Sequence, residues 1–379
     1  MPTFTGSIDQ ELAQYSDLFM LIAALIYTAA FLMFALDIAR SSVTIRRLEA
    51  ELAAEQEAER AERSERVRAT ASAGAGSAGA GSSDAGEPGA GDSDAGGSDA
   101  APRAVEASAE DLVDDEMTYT GLARPLANVA VALTILAALA HGFAVGARAT
   151  AAGRVPWGNM YEFLTTGAFV VAAVYLVSLL RKDLRFLGTF AVGLVVVMMT
   201  AATIGFPTPL GHLQPSLQSP WIVIHVSVAV FSMGLFTLTF AMSVLQLIQH
   251  RREAKRAAGM LSDTGGWQFM RMVPSAMALE NRAYRINTIG FVTWTLTLIF
   301  GAIWAEEAWG RYWGWDTKEV WTFVVWVVYA GYLHARATRG WTGSRSAWLS
   351  IIGFACVIFN FTVVNTLFAG LHSYAGLPE

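Results

Sequence analysis

Apolar runs long enough to cross a bilayer alternate with short polar stretches along most of the chain. A hydrocarbon core of about 30 Å takes about twenty helical residues at about 1.5 Å each. Eight runs come near that length: 18–39, 125–147, 160–180, 186–206, 222–249, 286–304, 321–338 and 347–369. The fourth, Phe186 to Phe206, is almost free of polar groups. No basic residue precedes the first run and no small-residue cleavage site follows it, so it reads as a retained helix and not a signal peptide. The pattern predicts an all-α polytopic membrane protein with about eight transmembrane helices.

Two stretches break the pattern. Thr44 to Arg68 is rich in Ala, Glu and Arg, and its helix propensity predicts a continuation of the first membrane helix into water. Ala69 to Ala101 is almost entirely Ala, Gly, Ser and Asp, with Pro88 inside it, and predicts a long disordered linker. Three parts follow: an N-terminal transmembrane helix at 1–40, a helical extension and linker at 41–120, and a seven-helix core at 121–379.

Composition agrees with the pattern. Of 379 residues, 54% are hydrophobic and 15% charged, and the mean hydropathy is +0.41. Soluble domains carry about 25% charged residues, so an ordinary soluble enzyme is excluded. The single Cys356 excludes an internal disulfide, a Cys-based zinc site and a C-x-x-C-H haem attachment within the chain. It lies in the apolar run 354–359 and reads as a small buried hydrophobe.

The net charge of −6 has two parts. Residues 51–116 hold 17 acidic and 5 basic residues, a balance of −12, so the remainder carries +6. No basic patch alternates with polar surface, which excludes a nucleic-acid partner. The basic residues also orient the chain. With the N-terminus outside and eight crossings, the inner segments 40–124, 181–185, 250–285 and 336–346 hold 22 of the 26 Lys and Arg. Only Arg148, Arg154, Arg311 and Lys318 then face outward. Both termini lie outside, the linker is cytoplasmic, and the loops 148–159, 207–221 and 305–320 share the outer side.

The unusual chemistry gathers on that side. The stretch Trp304 to Trp321 reads WAEEAWGRYWGWDTKEVW, with Trp309, Tyr312, Trp313 and Trp315 among Glu306, Glu307, Asp316, Lys318 and Glu319. An interfacial belt explains some of these indoles. Their density, with Gly310 and Gly314 leaving room near the backbone, also suits a shelf for a flat ligand. His225 lies one helical turn after Trp221, and His372 lies just past the eighth run, both at the level of the Trp-rich loop. Two imidazoles and an aromatic shelf are the parts that hold a porphyrin: axial nitrogens for iron and flat surfaces for the ring. Polar histidines at a membrane interface are the plainer alternative.

His334 sits thirteen residues into the seventh run, deep toward the inner side. An ionisable residue there is a functional candidate, against the alternative of a neutral His bonded to a neighbouring helix. His141 and His212 read as structural and His250 as a solvated helix end. Asn159 and Glu162, among the aromatics of Trp157 to Phe163, open the third run. Glu162 either complements the helix dipole or lines a polar pocket facing the Trp-rich loop. A haem propionate suits Lys318 and Arg311 as an anion; solvation at the rim suits them equally.

The stretch Trp313-Gly314-Trp315-Asp316-Thr317-Lys318-Glu319-Val320-Trp321 resembles the tryptophan-rich "WWD" motif of haem-handling proteins in cytochrome c maturation. Within that superfamily the chain is most similar to the CcsA/ResC type of the system II pathway, also labelled CcsB, from about residue 120 to the end. WGNMYEF at 157–163, LQPSLQSPWIVIHV at 213–226 and GLHSY at 370–374 support the similarity.

The resemblance implies that His225 and His372 are axial ligands of haem b at an outer site, and that His334 ligates haem within the membrane. It also implies cofactor contacts for Trp309, Trp313, Trp315, Asp316, Glu319, Trp321, Asn159 and Glu162, with Asp316 and Glu319 organising the loop or orienting an imidazole. None of these is a catalytic acid or base. Implied partners are a ResB-type membrane protein, an apocytochrome c carrying C-x-x-C-H and a thioredoxin-like thiol reductant. The chain would be one subunit of a cytochrome c synthase in the cytoplasmic membrane, presenting haem for covalent attachment on the outer face. The family often has a His before its Asn-x-Tyr-Glu segment where this chain has Arg154, so no ligand is assigned there. A system I haem-transfer subunit, a b-type electron-transfer protein and a transporter without haem are the competing readings. Eight spans without a large added domain argue against the first, and a single deep histidine against the second.

Overall fold

The computed structural model describes residues 8–75, 124–211, 213–260, 268–368 and 370–372, and among these all regular structure is helical. The helices are α1 (Gln10–Ala39), α2 (Ser41–Ala75), α3 (Pro125–Ala152), α4 (Met160–Leu179), α5 (Gly188–Thr200), α6 (Pro220–Ala257), α7 (Ala276–Trp309), α8 (Thr317–Arg339), α9 (Ser344–Phe361) and the short α10 (Val363–Leu367). Seven helical segments among the described residues are long and apolar enough to cross a membrane. The seventh predicted run is a full helix, α8, but falls below that measure because Trp, Tyr, Thr and His occupy much of it.

One end of the predicted linker is helical. α2 begins two residues after α1 ends and runs to Ala75, so the stretch from Ala69 starts as helix. The rest of it lies outside the described residues. α2 rests on the turn Gln268–Met272 and buries Ile45 and Leu48.

Hydrocarbon is as apolar as leucine, so membrane helices associate through close packing and interhelical hydrogen bonds. α1 buries Ala13, Ser16, Met20, Ala23, Tyr27, Ala30, Phe34 and Asp37, at alternating spacings of three and four. α3 answers in the same rhythm with Ala127, Ala130, Thr134, Ala137, His141 and Ala144. That repeat is the seam of a left-handed pair. The pair is antiparallel: the Ser16 hydroxyl donates to the Ala144 carbonyl at 2.8 Å, and Arg124 pairs with Asp37 at the other end. Alanines on both helices let the backbones approach closely.

α6 and α7 form a second antiparallel pair, joined by polar rungs. His225, Ser232, Thr239, Gln246 and Glu253, seven residues apart, bond respectively to Thr297, Thr293, Asn287, Glu280 and the Ala276 amide. An aromatic core ties this pair to α8 and α9, with Phe236 stacked on Tyr329 at 3.9 Å and Trp294 alongside. Glu280, nearly inaccessible, closes the far end. It accepts from Arg336 at 2.6 Å, Gln246 at 3.0 Å and the Gly343 amide at 2.7 Å. α6 begins, α7 ends, α8 begins and α9 ends at one end of the molecule.

Candidate haem site

A cavity opens at that end, between the start of α6, the end of α7, the start of α8 and the end of α9. Its wall is mostly apolar, with Ile222, Val226, Leu298 and Ala302 from α6 and α7 and Val357 and Phe361 from α9, and it carries one polar cluster of Lys318, Thr322, Asn360 and Asn365 from α8, α9 and α10.

His225 and His372 both line it. The rungs of the α6–α7 pair aim His225, whose Nδ1 lies 2.9 Å from the Thr297 carbonyl oxygen. A carbonyl only accepts, so Nδ1 carries the hydrogen and Nε2 keeps its lone pair. The ring stacks on Trp304 at 5.9 Å and 13°. Gly301 lies directly behind it: a Cβ there would stand 2.7 Å from the ring's Cε1.

His372 is held by a carboxylate in place of a carbonyl. Its Nδ1 lies 2.8 Å from Asp316 Oδ2, and its ring meets Trp304 and Trp309 edge-on at 5.5 and 5.0 Å. Trp304 therefore contacts both imidazoles. The Trp304 indole is itself buried and donates to the Ser216 carbonyl at 3.0 Å. The hydrogen bond from His372 is the chief cause that holds the Asp316 carboxyl below its ordinary value, aided by the Leu371 and Lys318 amides.

The Trp-rich loop is folded by its acids. Asp316 caps α8 by accepting from the Lys318 amide, and Glu319 Oε2 accepts from the Asp316 amide at 3.0 Å and the Gly314 amide at 2.8 Å. This reciprocal cap uses a Glu or Gln three positions after the first residue. Trp313 reaches the cavity wall. Trp315 does not: its φ of 59° is the left-handed conformation that only glycine adopts freely, and its indole is 76% exposed. Trp309 backs His372, and Trp321 turns away to pack on Phe359 at 4.2 Å.

Asn159 lines the cavity and caps α4. Glu162 departs from the expected pocket lining. It is fully buried behind the wall, with Arg154 at 2.7 Å, Arg148 at 3.2 Å and the Gly158 amide at 2.7 Å. Two of the four expected outward cations are thus spent on one carboxylate. His334 is exposed on α8, about 26 Å along the axis from Thr317, and shares nothing with this cavity. His141 is buried in the α1–α3 seam between Tyr27 and Phe169, His250 is exposed, and His212 lies outside the described residues.

Sequence reasoning missed Thr297, Gly301, Asn360 and Asn365. The two asparagines interrupt an otherwise apolar run, which is a readable signal. Thr297 acts through its backbone carbonyl and leaves none.

The cytochrome C assembly protein family matches residues 157–372, which contain all of this cavity. The chain is 34% identical over 259 residues to cytochrome c biogenesis protein CcsA of Guillardia theta, covering 64% of this chain and 84% of that one. It is 32% identical over 296 residues to CcsA of Synechococcus elongatus, covering 68% and 91%. CcsA of Porphyra purpurea is 31% identical over 282 residues, covering 66% and 88%.

Proposed function

The chain belongs to the cytochrome c assembly protein family and acts in cytochrome c biogenesis of the system II type, and we propose that its part there is to hold haem between His225 and His372 and present it to apocytochrome c. One observation carries this reading. Each imidazole on the cavity has Nδ1 tied, one to a carbonyl and one to a carboxylate, so both Nε2 atoms are left for a metal. Outer partners of this kind fix the ring and raise its basicity toward the ion. The aromatic wall suits a porphyrin, taken here as haem b in transit.

The distribution of Lys and Arg supports a position for this end of the bundle on the outer side of the cytoplasmic membrane. Haem then enters from the inner side past His334, whose exposed position on α8 suits a second ligand from a ResB-type partner. At the outer site its vinyl edge meets the reduced C-x-x-C-H segment of an unfolded cytochrome. A thioredoxin-like reductant keeps those thiols reduced. Each S–H adds across a vinyl double bond: sulfur bonds the carbon next to the ring, and hydrogen goes to the terminal carbon. No electrons leave or enter. Holding thiol and vinyl together supplies most of the acceleration, and the incoming histidine displaces one axial imidazole to release the product. Trp315, held outward on the loop, is placed to touch the incoming segment.

Deleting the chain from its host tests the reading. Covalently bound haem in c-type cytochromes is expected to vanish while b-type cytochromes remain, and the wild-type chain restores it. Unchanged c-type cytochromes would overturn the proposal.

Two substitutions probe how the ligands are held. Gly301→Ala puts a methyl where the His225 ring lies. The ring must shift off Thr297, and haem retained through purification is expected to fall about tenfold, the lower bound for loss of an outer partner. Asp316→Ala frees His372. Because the folded Asp316 pKa is depressed, its contribution is present above the ordinary carboxylate value, about 3.9, and is lost as pH falls through the folded value. Haem retention followed against pH is therefore expected to separate wild type from Asp316→Ala above that range and to converge below it.

A further inference from the structure

The mostly apolar wall carries one polar cluster, which raises the question of which edge of a porphyrin lies against it. Lys318 enters the cavity from the first turn of α8. Its ammonium donates to the Asn360 carbonyl oxygen at 2.9 Å and to Asn365 Oδ1 at 2.7 Å. Both acceptors are neutral. Among the described residues no carboxylate comes within 4.0 Å of it, although Asp316 and Glu319 flank it in sequence: the Asp316 oxygens bond backbone amides and His372, Glu319 Oε2 bonds two amides, and Glu319 Oε1 is buried without a hydrogen-bond partner. Behind the wall the cations behave differently: Arg148 and Arg154 both pair with Glu162. A cation enclosed against a cavity wall without an opposite charge is a receptor for an anion. Asn360 Oδ1, beside it on the same wall, is buried without a hydrogen-bond partner.

We propose that Lys318, framed by Asn360 and Asn365, receives one propionate of the haem and so fixes which edge of the porphyrin enters first. The inference rests on the haem-holding reading above. A porphyrin of this type is amphiphilic, with two propionates on one edge and the vinyl groups toward the other. The cluster of Lys318, Thr322, Asn360 and Asn365 matches the charged edge, and the apolar lining that includes Ile222, Val226, Leu298 and Ala302 matches the hydrocarbon one. Docked this way, the vinyl edge points away from Lys318, and haem cannot be presented reversed.

The test is binding of iron protoporphyrin and of its dimethyl ester, in which both propionates are uncharged, to the detergent-purified protein stripped of haem. Wild type is expected to bind the free acid at least about tenfold more tightly than the ester, the worth of a charge-assisted hydrogen bond. Lys318→Met is expected to lose that preference and Lys318→Arg to keep it. Asn365→Asp puts a carboxylate on the ammonium while leaving Lys318 in place, and is expected to abolish the preference as well. Equal binding of acid and ester by wild type, or a preference that survives in both Lys318→Met and Asn365→Asp, overturns the inference while leaving haem binding intact. Binding of neither porphyrin by folded wild type overturns both this inference and the function beneath it.

Discussion

His225→Ala combined with His372→Ala is expected to strip the purified protein of its haem absorption band while leaving it folded. Loss of one outer partner of a metal ligand costs about 10–100-fold in affinity, and the double variant removes both imidazoles proposed as ligands. The fold has little at stake in either ring. His225 contributes one rung of five along the α6–α7 pair, and His372 is half-buried beyond the last helix. Haem content per polypeptide, measured after identical purification, is expected to fall to background, with thermal unfolding close to wild type. A band of undiminished intensity in the double variant moves the site elsewhere, with His334 the next residue to remove.

The largest effect on stability is expected at Glu162. Its carboxylate, fully buried, is held by Arg154, Arg148 and the Gly158 amide. The two guanidinium groups extend the connection to the Thr208 and Gly211 carbonyls, and Arg148 also reaches Asp17 on α1 at 3.5 Å. Glu162→Ala therefore leaves two buried cations facing each other and unties α4 from α3 and from the segment after α5. Breaking a buried pair from one side costs about 3–5 kcal/mol, and thermal unfolding in detergent is expected to show a loss of that size. Glu162→Gln keeps some hydrogen bonds and is expected to lose less. An unfolding temperature unchanged in Glu162→Ala would mean that the arginines find other partners and that the cluster holds nothing together.

Much of this architecture is legible in the residues because hydrophobic length speaks directly. Every predicted run is largely helical, the last divided at Thr362 between α9 and α10, and the run at 186–206 matches the span Arg185–Gly205 almost to the residue. The Asp316–Glu319 spacing carries its own reason, a reciprocal helix cap. Pairings are harder to read. The small-residue seam between α1 and α3 involves segments more than a hundred residues apart, and only tertiary contact reveals that Ser16 meets Ala144. Glu162 is the instructive departure: an acid at a helix start among aromatics fits a pocket wall, yet two nearby arginines draw it behind the wall. Trp321 departs for another reason. It lies on the face of α8 that meets Phe359, and a motif does not say which face a residue takes. The orientation of His225 depends on a backbone carbonyl, which no side chain announces.

The central claim is that His225 and His372 are the two axial ligands of one haem. Its most direct test is the absorption and electron paramagnetic resonance spectrum of the haem-loaded protein, as wild type and as His225→Gly and His372→Gly, with and without added imidazole. Six-coordinate low-spin iron is expected in wild type and high-spin iron in each variant, with low-spin iron returning when imidazole occupies the vacated position. Low-spin iron that persists in either variant before imidazole is added would contradict the account.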